Sequence, residues 1–155
     1  MKEILYIKGD VTRPIGDDNK LIIHCCNDIG KMGAGVAKAL YMKWYEVRKQ
    51  YQQWHNSKKG FELGNIQFVK VETDIVVCNM IGQHGIKNDS KVPPIRYGAI
   101  AKCLEKVMSA AKKNNASVHA PRFGSALAGG RWSKIEELII EHLSSHDIQV
   151  TIYDF

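Results

Sequence analysis

Leu21-Ile22-Ile23-His24-Cys25-Cys26-Asn27-Asp28-Ile29-Gly30-Lys31-Met32-Gly33-Ala34-Gly35-Val36-Ala37 runs from an apolar strand, through a glycine-rich loop, into the start of a helix. That order gathers unpaired backbone N–H groups and the positive end of a helix dipole at one point. Phosphate binds at such points. Gly33 and Gly35 leave room for a diphosphate to approach the backbone. Neither familiar phosphate-loop fingerprint fits. G-x-G-x-x-G needs a glycine where Lys38 stands, and the P-loop needs Lys-Ser/Thr where Val36-Ala37 follow Gly35. The alternative is a tight strand-to-helix turn that uses glycine only for its shape.

Outward from this stretch, the hydrophobic pattern divides into strands and helices. Residues 3–8 read as a strand closed by Gly9-Asp10. Residues 21–26 are apolar at nearly every position, as in a strand buried on both faces. From residue 34 to about 54, Val36, Leu40, Val47, Tyr51 and Trp54 recur at helical spacing and predict one helix, ended by Asn56-Ser57-Lys58-Lys59-Gly60. Residues 66–71 and 75–81, joined by Glu72-Thr73-Asp74, predict a hairpin. Residues 82–94 form a long loop, which in a compact domain is often functional. A second helix starts near Arg96, with Tyr97, Ile100, Leu104, Val107 and Ala111 on one face. Residues 117–120 are a short strand stopped by Pro121. A second glycine-rich loop, Phe123-Gly124-Ser125-Ala126-Leu127-Ala128-Gly129-Gly130, follows it. Ser133-Lys134-Ile135-Glu136 has capping-box spacing before the last helix, and residues 149–153 are the final strand. Six strands with about three helices predict an α/β fold: a three-layer α/β/α sandwich over a mixed, mostly parallel sheet, as one domain spanning 1–155. In such sheets ligands sit beyond the carboxyl ends of the strands. The two glycine loops are placed to hold a diphosphate from opposite sides.

The bulk numbers bound the function. The chain has 155 residues, 45% hydrophobic and 25% charged, enough for a real core. No apolar run approaches the roughly 20 residues that span a bilayer, and the N-terminal apolar run is too short for a signal peptide. The expectation is a soluble cytoplasmic monomer with no membrane partner. Cys25, Cys26, Cys78 and Cys103 form no C-x-x-C pair, so no metal is expected, and the usage suits a reducing compartment. The net charge of +6 favours anionic partners such as nucleotides, nucleic acid or modified acidic chains; solubility alone explains it equally well.

Several motifs, in order, resemble the macrodomain family over nearly the whole chain. Gly9-Asp10-Val11-Thr12 resembles its Gly-Asp-Ile-Thr motif. Residues 27–36 and 121–130 resemble its two phosphate loops, and Val150-Thr151-Ile152-Tyr153-Asp154-Phe155 its last strand. Pro93-Pro94-Ile95-Arg96-Tyr97 and Leu127-Ala128-Gly129-Gly130 resemble the branch that includes ADP-ribose-1''-phosphate phosphatases. The resemblance implies ADP-ribose as ligand and no cofactor. It implies that Asp10, flanked by Gly9 and Val11, accepts from the adenine amino group, and that Asn27 holds the distal ribose. Gly33, Ala34, Gly35 and Val36 would present N–H groups to one phosphate, and Ser125, Ala126 and Leu127 would cradle the other. Lys31, Met32, Phe123, Gly124 and Ala128 are further expected contacts to ADP-ribose, and Phe155 would stack near adenine or pack as a terminus.

The departures from the family bear on chemistry. One hydrolase branch has Asn-Ala-Ala-Asn where this chain has His24-Cys25-Cys26-Asn27, and an aromatic ring near Ala128. Another branch uses a Lys, in one subgroup with an Asp. Gln83 or His84 and Ala128 stand at about those points. The candidates left for catalysis are Asn27, His24, Asp28 and His84, with histidine able to move a proton near neutral pH. The leading expectation is a hydrolase that removes a group from the distal ribose of an ADP-ribose derivative, with 1''-phosphate favoured. An ADP-ribose reader without turnover and a poly(ADP-ribose)- or RNA-binding domain are the alternatives, and ADP-ribosylated protein or nucleic acid the further partners.

Overall fold

The computed structural model describes residues 1–86, 92–125 and 128–155. Its strands are β1 (Leu5–Lys8), β2 (Asn19–Asn27), β3 (Ile66–Glu72), β4 (Ile75–Gln83), β5 (Ala116–Ala120) and β6 (Val150–Asp154). Its α-helices are α1 (Gly35–Lys43), α2 (Glu46–Ser57), α3 (Tyr97–Asn114) and α4 (Trp132–His142). The strands form one sheet in the order β1-β6-β5-β2-β4-β3. All neighbours are parallel except the β3–β4 hairpin. Each face is covered by its own helices. Ile23, Met80 and Val118 pack with Ile100, Leu104 and Ile135 of α3 and α4 on one side. Ile22 and Val77 pack with Leu40, Val47 and Tyr51 of α1 and α2 on the other. The alternation of side chains along β2 feeds both cores, which is why the strand reads as apolar throughout. The expected three-layer sandwich is the observed one.

Two details differ from the sequence reading. The helix expected over 34–54 is broken after Lys43. Trp44 is extended and buried, and its indole N–H donates to Glu72 Oε2 at 3.0 Å. Seating that ring on the sheet bends the chain where no glycine or proline marks a break. The capping box at Ser133 is absent as well. Helix α4 begins two residues earlier than that cap implies, at Trp132, with Arg131 as its N-terminal boundary and no side-chain cap. Trp132 is fixed instead by its indole N–H, which donates to the Tyr6 hydroxyl at 3.0 Å.

Candidate functional site

β2, the hairpin strand β4 and β5 end together at one edge of the sheet, and the glycine loops leave from there. Two adjoining cavities lie beyond these ends. One of ≈ 400 Å³ is lined by Cys25, Cys26, Asn27, Lys31, Met32, Gly33, Ala34, Ala37, Gln83 and Ile86. The other, ≈ 220 Å³, runs from His24 and Val36 to Arg122, Phe123, Gly124, Ser125 and Ala128. Cys25, Ala34, Ala37 and Gln83 line both, so the two form one cleft. The structure thus brings together most of both expected phosphate loops. Cys25, Ala37, Gln83 and Arg122 join them; their placement at strand ends and in the first helical turn is the one signal that marks them. Ala126 and Leu127 lie outside the described residues.

The first loop is held from below. The Asn27 side chain accepts from Ile29 N–H at 3.1 Å and Lys31 N–H at 3.2 Å, and donates to Lys31 O at 2.6 Å. The Tyr51 hydroxyl of α2 donates to Asn27 O at 2.6 Å and lies 2.9 Å from Asn27 Oδ1. Gly30 has φ +76°, and a Cβ there would overlap the His55 ring. The loop then opens upward. A Cβ on Gly33 or Gly35 would meet nothing within 4 Å, and Gly35 has φ +62°. Helix α1 has no side-chain N-cap and no acidic residue in its first turn. Its first N–H groups therefore face an open, positively polarised space, the arrangement that receives an anion.

The second loop is closed by backbone contacts. Gly130 N–H donates to Gly124 O at 2.9 Å, and Ile95 N–H to Ala128 O at 3.0 Å. Arg122 at its start grips Asp154, donating through Nε to Oδ1 at 2.7 Å and through Nη2 to Oδ2 at 3.1 Å. Gly9, Asp10 and Val11 follow β1, and Gly9 N–H donates to Asp154 O at 2.9 Å. Asp10 Oδ1 accepts from the Thr12 N–H and hydroxyl at 2.9 and 2.8 Å. Partial burial opposes its ionisation, but these bonds, with Arg13 and Lys43 nearby, hold the carboxyl below its usual range. These three residues are not among those lining the two cavities. Phe155 lies just past β6 and is fully exposed.

The titratable candidates differ in setting. His24 is 2% exposed, and its Nε2 lies 2.5 Å from Asn79 Oδ1. Asn79 donates through Nδ2 to Val47 O and Gln67 Oε1, so His24 Nε2 carries the proton in that bond. Burial lowers the His24 pKa to about 4, against a small opposing effect of Asn79, so the ring is neutral. His84 is exposed, with Nδ1 2.7 Å from Asp28 Oδ2, while Asp28 Oδ1 accepts from Gly85 N–H at 2.8 Å. Burial pushes the Cys25 thiol up to about 12, which leaves it protonated. Among the described residues no group of three or more His, Cys, Asp or Glu is placed to hold a metal ion, and no helix is long and apolar enough to cross a membrane.

The whole chain superposes on a Bacteroides thetaiotaomicron protein of unknown function, 52% identical, with a TM-score of 0.98 and 99% of each chain covered. It superposes equally fully on a macrodomain protein from Streptomyces coelicolor, 43% identical, with a TM-score of 0.89 and 99% of each chain covered. The chain belongs to the macrodomain family. Among curated proteins, this macrodomain is 36% identical to the chromodomain-helicase-DNA-binding protein 1-like of Danio rerio. That match covers 97% of the chain and only 15% of the relative's length. More distant matches cover 97% of the macrodomain. One is the ADP-ribose glycohydrolase OARD1 of Bos taurus, 26% identical with 90% of its length covered. Another is the ADP-ribose 1''-phosphate phosphatase of Lodderomyces elongisporus, 24% identical with 99% covered. No family model matches the chain.

Proposed function

We propose that the cleft binds ADP-ribose and that the protein slowly hydrolyses the 1''-phosphate of ADP-ribose-1''-phosphate. The observation that carries this reading is the open space above Gly33 and Gly35 at the uncapped start of α1, continuous with a second cavity walled by Phe123, Gly124 and Ser125. A diphosphate fits the junction, with the distal ribose toward Asn27 and adenine toward Asp10. The hydrolase names of relatives with the whole macrodomain in common support the reaction class. In the proposed step, water bonds to phosphorus, the bond from phosphorus to the ribosyl oxygen breaks, and that oxygen takes a proton. His84 is the better proton carrier of the two histidines. Its Nδ1 is oriented by Asp28 and the rest of its ring is exposed, whereas His24 is buried, neutral and committed to Asn79. Orientation of the distal ribose by the Asn27-braced loop supplies the remaining rate enhancement.

A second reading is an ADP-ribose reader without turnover. It is favoured by the Asn27 side chain, whose oxygen and one amide hydrogen are already engaged within the protein. Incubation with ADP-ribose-1''-phosphate, O-acetyl-ADP-ribose and ADP-ribosylated protein, followed by product analysis, separates the readings. Phosphate release above the uncatalysed rate, reduced more by Asn27→Ala than by either histidine substitution, is expected. Tight ADP-ribose binding with no product from any substrate leaves the reader standing.

A further inference from the structure

Among the described residues two cations line the cleft, and they are not alike. Arg122, at the proximal cavity, is held by both carboxylate oxygens of Asp154. Lys31, at the distal cavity, is the single cation among its described lining residues, none of which is acidic. Lys31 forms no ion pair with another described residue. The carboxylate nearest in sequence, Asp28, is occupied by His84 and the Gly85 N–H. The Lys31 main chain is pinned at both its N–H and its carbonyl by the Asn27 side chain, so the ammonium leaves from a fixed point at the mouth.

Resting on the ADP-ribose reading above, we infer that Lys31 is a specificity-determining residue that selects ligands bearing a dianionic phosphate on the distal ribose over those bearing a hydroxyl or a neutral acyl group. The physical basis is the charge-assisted hydrogen bond from an ammonium that has no carboxylate partner among the described residues, at the mouth of a cavity. The diphosphate needs no help from Lys31, because the start of α1 already supplies N–H groups to it.

The test uses the intact protein and three probes: ADP-ribose, ADP-ribose-1''-phosphate and O-acetyl-ADP-ribose. Affinities are read by stopped-flow displacement of a fluorescent ADP-ribose analogue, within the first turnover. The wild-type protein prefers the 1''-phosphate over both other probes by roughly tenfold or more, and added salt narrows the gap. The preference collapses in Lys31→Gln, survives in Lys31→Arg and inverts in Lys31→Glu. Because only the main chain of Lys31 braces the loop, these variants keep their melting temperatures. Equal wild-type affinities, or a Lys31→Gln protein that keeps the preference, overturn the inference. A Lys31→Gln protein weakened equally toward all three probes assigns Lys31 to the diphosphate and overturns it too. Failure of the wild-type protein to bind any probe overturns the ADP-ribose reading itself, and the inference with it. The wild-type preference and its salt dependence stand as a test even if every variant unfolds.

Discussion

Asn27 joins the first glycine loop to the body of the protein. Its oxygen serves Ile29, Lys31 and Tyr51, and its amide serves Lys31 O. Removing the Tyr51 hydroxyl withdraws the donor that reaches this cluster from α2. Tyr51→Phe should cost about 1–2 kcal/mol of stability, the usual price of leaving a buried acceptor unpaired. It should also weaken ADP-ribose, since the loop loses its anchor; urea denaturation and calorimetry check the two effects. Asp10→Ala should weaken ADP-ribose by about 1–3 kcal/mol. Unchanged affinity in a folded variant would make Asp10 only the Thr12-binding turn residue it visibly is. The identity and position of Asn27 were legible in the sequence, but its bracing role was not. Tyr51 lies on a helical stripe that periodicity assigns to the core, and periodicity says nothing about where a hydroxyl points. The partner of His24, Asn79, is likewise 55 residues away and lies on another strand.

At the scale of elements, α1 owes its open N-terminal end to what it lacks. Gly35 has a positive φ, no side chain caps the helix, and no acid sits in the first turn. Gly35→Glu adds a like charge where the diphosphate is expected and forces a non-glycine residue into the left-handed region, at about 1–2 kcal/mol. The Cβ itself meets open space, so the protein should stay folded while ADP-ribose affinity drops more than a hundredfold; circular dichroism and calorimetry together read this. The strands were legible because burial imposes their apolar runs. The break between α1 and α2 was not, because Trp44 fits a helical stripe, and its extended backbone goes with a bond to Glu72, 28 residues away in the sequence. The start of α4 was misplaced for a related reason: the Tyr6–Trp132 contact joins residues 126 apart, and Ser133 offered a local cap that the tertiary contact overrides.

The whole molecule carries two buried neutral histidines, His24 on β2 and His119 on β5, each lowered to about pKa 4 chiefly by burial. Their folded values lie below the ordinary value near 6.5, so the unfolded chain takes up protons first as pH falls. Stability should be full above about pH 6.5 and decline toward pH 4, with a slope of at most about 1.4 kcal/mol per pH unit for each histidine. Asp10, Asp74, Asp147 and Asp154, all held below their usual range, add to the decline only at its acid end, below about pH 5, where the carboxyls of the unfolded chain begin to take up protons. Urea midpoints at pH 7, 5.5 and 4.5 measure it, and a flat profile would contradict the burial argument. The strand order carries one more consequence, in time rather than space. β6 lies between β1 and β5, so β1 has no strand to pair with until residues 150–154 have docked. The Gly9 turn, tied to Asp154 O, closes only then. Contacts spanning nearly the whole chain form slowly. In refolding, ADP-ribose affinity should therefore return after the helical signal, which stopped-flow circular dichroism paired with ligand fluorescence would resolve as two phases.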